Sequence, residues 1–167
     1  MKRVFLSLLL ALCLTLCACG TSTQAAAYTD DSIIARKGDW YTMNDWQHGL
    51  SDDTLHAGMK GSTGTLTVWS MDAGADTPVH ADCTLTVTAG RAKLVHIAPD
   101  GTVTTLLEVS PDSPVATSTL RFTALPGENR VKLVMAQHTS LEMTLRFDEG
   151  TLKDGTAPAC PPQSRWI

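Results

Sequence analysis

Apolar and polar residues alternate along a series of short segments that fill most of the chain after residue 64. A period of two predicts β-strands with one buried face, and turn sequences such as Pro99-Asp100-Gly101 separate them. The predicted strands are Thr65–Met71, Cys83–Ala89, Arg91–Ala98, Thr102–Val109, Thr117–Ala124, and a hairpin of Arg130–Gln137 and Leu141–Asp148. This spacing predicts an all-β fold, an antiparallel β-sandwich, immunoglobulin-like or jelly-roll-like, of about seven to eight strands.

Two of these segments, Arg91–Ala98 and Arg130–Gln137, are apolar on both faces at their centres. Strands of this kind are covered on both sides. The region 28–60 has apolar residues without a core of their own, so we expect it to pack on the sheet as a lid. The expected organisation is a signal peptide at 1–18, a tether at 19–27, this N-terminal segment at 28–60, the sandwich at 61–150 and a tail at 151–167.

The N-terminus has the order of charge, apolar run and small residues that is typical of an export signal. Its apolar stretch, Val4–Ala18, is shorter than the roughly 20 residues that a membrane-spanning helix needs. The segment Leu16-Cys17-Ala18-Cys19-Gly20 resembles the bacterial lipobox. That resemblance implies cleavage before Cys19 and acylation of its sulfur, and the alternative is a plain secretory signal.

Acylation would decide where the protein resides. Two or more acyl chains hold a protein stably on a bilayer, whereas one holds it only marginally. The polar residues 20–27 would then form a tether that reaches at most about 28 Å. We therefore expect an exported protein, lipid-anchored at the cell membrane or the outer membrane, with partners close to the bilayer.

A second resemblance covers about a third of the chain. The stretch Gly90–Gly101, continuing through Thr104–Glu108 to Leu125–Val134, resembles a module of uncharacterised bacterial envelope lipoproteins. The resemblance implies an exported, β-rich protein. That family has no established activity, so the resemblance implies no catalytic residue.

Composition and sequence motifs disfavour several classes of activity. With 13 basic and 17 acidic residues the formal net charge is -4, which disfavours a nucleic-acid partner. No nucleophile elbow, phosphate loop or zinc-protease motif is present, and no cofactor is implied. Asp72, Asp76 and Asp82 supply the oxygen ligands that calcium prefers, but their spacing matches no defined calcium loop, so a solvated turn is the favoured interpretation. Asp52 and Asp53 suggest either an acid and base pair or the start of a helix.

Removal of the signal would leave two cysteines, Cys83 and Cys160, in an exported chain. An even pair in that setting suggests a disulfide, which would hold the proline-rich tail against the domain. Cys83 also shares a strand face with apolar residues, where a buried unpaired cysteine is equally reasonable. Both interpretations stay open.

Two classes of function are compatible with these features. The first is a non-catalytic binding or assembly module that meets another envelope protein or a glycan. Trp40, Tyr41, Trp46 and Trp166 are then the candidate stacking residues. The second is an envelope hydrolase in which two of the carboxylates at Asp72, Asp76 and Asp82 act as acid and base. We favour the first class because the sequence shows no convergent set of catalytic polar groups.

Overall fold

The computed structural model describes residues 26–153 and shows an all-β protein in which every strand pair is antiparallel. This confirms the predicted fold class. A short helix directly precedes the strands. The elements are α1 (Asp31–Ile34), β1 (Trp40–Ser51), β2 (Thr54–Ala73), β3 (Thr77–Ala89), β4 (Ala92–Ile97), β5 (Val103–Val109), β6 (Val115–Ala124), β7 (Gly127–Phe147) and β8 (Thr151–Leu152).

Two long strands, β2 and β7, organise the molecule because they pair with each other along nearly their whole length. The first part of β2 and the second part of β7 join β3 and β6 in one layer, which we call layer A. The remaining parts of β2 and β7 join β4 and β5 in layer B, and β8 adds two residues at the edge of β2 there. Strand β1 follows β2 through both layers.

The two long strands bend together where they pass from one layer to the other. Gly61 and Gly64 in β2 and His138 in β7 all have positive φ angles at this point, and the β2–β7 register shifts there. The backbone N–H of His138 donates to the Thr63 hydroxyl (3.2 Å), and the N–H of Gly61 donates to the Ser140 hydroxyl (3.1 Å). These bonds fasten the two bends to each other, so the layers face one another across a common core.

The core lies between the layers and takes the inward residues of both. Leu55, Leu85 and Leu145 come from layer A, while Leu66 and Leu133 come from layer B. At one end of the core an aromatic group connects the layers. Its members are Trp69 of β2, which stacks on Phe147 of β7 and meets Phe122 of β6 edge-on, and His96 of β4, which also contacts Phe122.

The outer face of layer B is also buried. Residues 26–39, which we call the strap, cross this face before β1 begins, and Tyr28 and Ile34 pack there with Val95, Ile97 and Val134. Strands β4 and the first half of β7 therefore have apolar contacts on both sides, as their sequence pattern indicates. The strap thus comprises residues 28–39 of region 28–60 together with residues 26 and 27, the end of the expected tether.

Buried cations fix the strap to β7. Lys132 is fully buried, and its Nζ donates to the carbonyl oxygens of Arg36 (2.8 Å) and Gly38 (2.9 Å) and lies 3.3 Å from Asp39 Oδ1. Burial lowers the pKa of Lys132, and the Asp39 carboxylate opposes that shift. The guanidinium of Arg130 donates to the carbonyls of Ala35 and Arg36 (both 2.8 Å). These carbonyls follow the end of α1 and have no helical partner of their own.

Three local features differ from the sequence-based expectations. Arg130–Gln137 and Leu141–Asp148 do not form a hairpin: they are halves of the single strand β7, because its partner β2 bends at the same level and the chain continues. The expected division at residues 60 and 61 lies inside β2, since Trp40–Ser51 and the start of β2 are themselves a hairpin of the sheet. Asp52 and Asp53 form the turn of that hairpin, both with positive φ, and start no helix.

Among residues 26–153 the structure contains no helix long and apolar enough to span a membrane. The export signal, the lipobox and the expected acylation site Cys19 lie outside the described residues, so they remain predictions. The same holds for the tail beyond Lys153, including Cys160 and Trp166.

Candidate binding face

The outward side of layer A is polar and uncovered within the described residues, and we call it the open face. The strand order β1–β2–β7–β3–β6 and the register of the pairs align its side chains in rows that cross all five strands. Five strands at about 4.8 Å spacing make a surface about 19 Å wide. The middle row contains Gly49, His56, Thr144, Thr84 and Thr117.

Small residues in the middle row leave a shallow groove in the open face. One depression of about 460 Å³ extends toward β1, and a second of about 410 Å³ extends toward β6. Both are lined by Thr84 and Thr144, which are directly opposite each other on β3 and β7 and form the common floor. The glycines Gly49 and Gly58 add no side chain at the β1 end, so the groove continues to that edge.

Longer polar side chains border the groove. Arg146 and Asp82 flank the floor on one side, and Glu142 and Gln47 flank it on the other. Within residues 26–153 the side chains of Arg146, Glu142 and Gln47 make no hydrogen bond or ion pair, and the same is true of the His56 side chain in the middle row. These groups thus have unused donor and acceptor capacity that points into or beside the groove.

Two pairs of side chains on the open face are already engaged. The Thr119 hydroxyl donates to Asp82 Oδ1 (2.9 Å), and the hydroxyls of Thr84 and Thr117 lie 3.3 Å apart. Both contacts join β3 to β6 and hold the side chains of that part of the groove in place. The hydroxyl of Thr144, on the other side of the floor, makes no hydrogen bond within the described residues.

The carboxylates of the open face are arranged poorly for acid and base catalysis. Asp82 lies opposite Arg146, and Glu142 is four residues away from Arg146 along β7. Four residues of a strand span about 13 Å, whereas carboxylate pairs that cleave glycosidic bonds lie about 5 to 10 Å apart. The geometry of this face therefore favours binding over hydrolysis.

A histidine and a carboxylate form a pair at one end of the open face. Asp148 accepts hydrogen bonds from the backbone N–H of His80 (2.8 Å) and from His80 Nδ1 (2.9 Å). Partial burial acts to raise the pKa of Asp148, but the two hydrogen bonds and the charge interaction with His80 outweigh it, and the pKa lies below its usual value. Both side chains are about half exposed, and the pair secures the end of β3 to the end of β7.

The aromatic residues that the sequence singled out lie on β1 and are not gathered on the open face. Trp40 is 46% exposed and pairs with Thr65 in layer B, and its neighbour Tyr41 is half-buried against the core. Trp46 is also half-buried, and its ring stacks on His48 with the centroids 4.9 Å apart. His48 is opposite the core residue Ala57 and Trp46 packs against the core, so the stack lies on the core side of β1 and not on the open face.

The three aspartates proposed for calcium are not brought together. Asp72 lies near the end of β2 opposite Glu128, and Asp76 lies in the turn before β3. Asp82 lies within β3 and bonds to Thr119. Among residues 26–153 no group of three His, Cys, Asp or Glu side chains is placed to hold a metal ion. The three residues are spread from the end of β2 to the interior of β3.

Cys83 lies on the inward face of β3 in the core, and burial raises the pKa of its thiol to about 12. Its predicted partner Cys160 lies outside the described residues, so the disulfide remains a prediction.

Several residues of the open face were not singled out from the sequence. The alternation in β7 already placed Glu142, Thr144 and Arg146 outward, and the alternation in β3 did the same for Thr84. The sequence does not show which strands are neighbours in the sheet, so these residues could not be assigned to one surface. His56 lies in an alternating segment in which Leu55, Ala57 and Met59 are buried, so the same signal indicates an outward position for it, whereas Gln47, in the irregular strand β1, has no such signal.

Comparisons with known proteins give a likeness of fold. No family model matches the chain, and no curated protein matches it. A family 29 carbohydrate-binding module in complex with mannohexaose is 10% identical, with a TM-score of 0.40 over 66% of this chain and 82% of that chain. Another structure of a family 29 module is 11% identical, with a TM-score of 0.38 over 66% of this chain and 79% of that one. The likeness concerns the β-architecture alone.

Proposed function

We propose that the protein is a non-catalytic binding module, anchored by lipid at the cell envelope, and that its open face binds a glycan. The observation that carries the proposal is the groove across five strands whose floor is Thr84 and Thr144. Around this floor stand hydroxyl, amide, imidazole, carboxylate and guanidinium groups, several of which have no partner within the described residues.

This surface suits a sugar better than an apolar ligand. A sugar presents hydroxyls that both donate and accept, and the groove offers acceptors such as Glu142, donors such as Arg146, and threonine hydroxyls that do both. Sites for apolar small molecules are deeper and mostly lined by hydrophobic side chains.

Glycan binding can be tested with a panel of immobilised polysaccharides and oligosaccharides and with two matched tryptophan variants. Thr84→Trp places a bulky side chain on the groove floor, while Thr104→Trp places the same side chain on an exposed position of β5. We expect at least one glycan to bind the wild type and the Thr104→Trp variant, and Thr84→Trp to bind at least about tenfold more weakly, a loss of about 1.4 kcal/mol.

Two results would count against the proposal. One is a wild-type protein that binds no glycan in the panel. The other is an equal loss in both variants, which would show that tryptophan acts on the fold and not on the groove.

The lipid anchor is a separate part of the proposal and has its own test. Cells that express the full chain are given a labelled fatty acid, and incorporation is compared between wild type, Cys19→Ser and Cys17→Ser. We expect label in the wild type and in Cys17→Ser and none in Cys19→Ser. Label that persists in Cys19→Ser would contradict acylation of Cys19 and would leave the groove hypothesis intact.

A further inference from the structure

The outermost strand of layer A, β6, presents an unusually regular edge. It is ten residues long and pairs with β3 without any shift in register. Within residues 26–153 no strand pairs with its other side. Its only charged residue is Arg121, and it contains no proline or lysine. A long and regular edge of this kind offers a row of backbone N–H and C=O groups to another strand.

The other edges of the described sheet are protected by irregularity or by shortness. Strand β1 has two register shifts and a positive φ at Asp45. Strand β5 has seven residues, and a register shift leaves Leu106 as an extra residue. Strand β8 has two residues. Bulges and short strands are common protections against edge-to-edge pairing, and β6 has neither.

We propose that the edge of β6 binds the same edge of a second copy of this chain, forming a two-fold symmetric dimer with a continuous sheet. An antiparallel pairing of two identical strands places one residue opposite its own copy. With the axis at Thr119, nine of the ten residues of β6 pair, and outward residues meet outward residues. Thr119 then faces Thr119 of the second copy, and neither side chain carries a charge that would oppose the pairing.

The charges in β6 agree with this register. Arg121 would lie opposite Thr117 of the second copy, and the two Arg121 side chains would be about 13 Å apart along the strands. That separation exceeds the screening length of about 10 Å at 0.1 M salt. A shift of the axis to residue 121 would place the two guanidinium groups directly opposite each other and would shorten the paired segment, so the strand itself favours the axis near Thr119.

The dimer would join the two open faces into one surface of ten strands, about 43 Å wide. Both grooves would open on the same side of this surface. A ligand with repeated units could then contact both copies, and its apparent affinity would exceed that of one groove. The dimer itself does not depend on the identity of the ligand.

Cysteine cross-linking of the full chain tests the proposed axis. Residues directly opposite in an antiparallel pair have Cα atoms about 4.5 to 5.5 Å apart, within the range of about 4.4 to 6.8 Å that disulfides require. Thr119→Cys should therefore cross-link to its own copy when a copper–phenanthroline oxidant is added to membranes that contain the protein. Thr123→Cys is the matched control, because the two copies of residue 123 would be about 27 Å apart.

We expect a band of twice the monomer mass on non-reducing gels with Thr119→Cys and none above the wild-type level with Thr123→Cys. Equal cross-linking of both variants, or of neither, overturns the proposal. A dimer that forms only after residues 154–167 are removed also overturns it, since the tail would then be the occupant of the edge.

A second variant measures the association without added thiols. Thr119→Lys places two ammonium groups opposite each other at the axis, and Thr123→Lys places the same charge away from it. We expect the mass of the detergent-purified protein, measured by light scattering, to fall from dimer to monomer only with Thr119→Lys. A wild type that is monomeric at tens of micromolar contradicts the dimer, while glycan binding by that monomer would leave the proposed function standing.

Discussion

The two outer faces of the sandwich are built from the same two long strands and lie in opposite environments. The outer face of layer B is sealed by the strap, which buries Val95, Ile97 and Val134 beneath Ile34. The outer face of layer A has no cover within the described residues and is lined by threonines and charged side chains. Strands β2 and β7 contribute to both faces because each bends from one layer into the other.

The difference originates in the residues that each half of β7 points outward. In the half that belongs to layer B these residues include Val134, which is apolar, and Lys132, whose ammonium group needs acceptors once it is buried. The strap supplies both the apolar contact and the carbonyl oxygens. In the half that belongs to layer A the outward residues are Glu142, Thr144 and Arg146, which are stable in water. A sealed face can contribute stability, whereas an open polar face is available for a ligand.

The largest loss of stability is expected when the buried cation of the sealed face is removed. Lys132→Met keeps the length of the side chain but removes the ammonium group, so Asp39 and the carbonyls of Arg36 and Gly38 lose a donor. We expect the free energy of unfolding in urea to fall by about 3 kcal/mol, as when one partner of a buried ion pair is removed. Arg146→Met, on the open face, is the matched control and should change it by less than about 0.5 kcal/mol.

Comparable losses for both variants would show that the faces do not differ in their contribution to stability. A loss confined to Lys132→Met would show that the buried cation of the sealed face contributes stability that the exposed cation of the open face does not.

The apolar contact of the strap should have the next largest effect. Ile34 is fully buried, whereas its neighbour Ile33 is only half-buried. Ile34→Ala leaves a cavity over β4 and β7, and we expect a loss of about 2 kcal/mol. Ile33→Ala should cost clearly less. Hydrogen exchange measured by mass spectrometry should show faster exchange in strap peptides of Ile34→Ala only, and unchanged protection there would mean that the strap does not depend on this contact.

Much of the fold could be predicted from local sequence patterns. In β3, β6 and the second half of β7, apolar and polar residues alternate, which indicates strands with one buried face. The double-sided apolar pattern of β4 also indicated a cover. The bends in β2 and β7 could not be predicted from such patterns. Gly61, Gly64 and His138 resemble loop residues in sequence, and only the pairing of β2 with β7 shows that both strands continue past them.

The candidate site was less accessible to sequence reasoning than the fold. Thr84 and Thr144 are far apart in the chain and become the floor of one groove only through the β3–β7 register. The open face also depends on β1 and the start of β2, whose hairpin turns at Asp52–Asp53. Leu55, Ala57 and Met59 alternate there with polar residues or glycine, but the pattern of β1 is irregular, so the pairing of the two strands is not evident from the sequence.

A smaller effect on stability is expected from the protonation of a histidine in the interior beside layer B. His96 is buried in β4 against Phe122, and its Nε2 lies 3.1 Å from Asn129 Oδ1. Burial lowers the pKa of His96 below 6.5, and the hydrogen bond to Asn129 opposes that shift. The folded protein therefore binds this proton less readily than the unfolded chain, so stability is present above pH 6.5 and is lost as the pH falls below that value.

Urea unfolding at about pH 7 and at about pH 5 measures this dependence, before most carboxylates titrate. We expect His96→Gln, which keeps a polar group beside Asn129, to reduce the loss of stability between these two values. His56→Gln, on the open face, should leave the wild-type dependence unchanged. The opposite ranking would mean that the proton is taken up on the open face and not in the interior.

The smallest effect on stability, combined with a clear effect on binding, is expected at the groove floor. The double variant Thr84→Val and Thr144→Val keeps the shape of both side chains and removes two hydroxyls from an open surface. Stability should change by less than about 0.5 kcal/mol, since neither hydroxyl is enclosed in the core. Two lost hydrogen bonds of about 1 kcal/mol each should weaken glycan binding at least tenfold. Thr104→Val is the control on β5. If binding and stability fell together, the two hydroxyls would contribute to the stability of the fold. The open face would then serve stability, as the sealed face does.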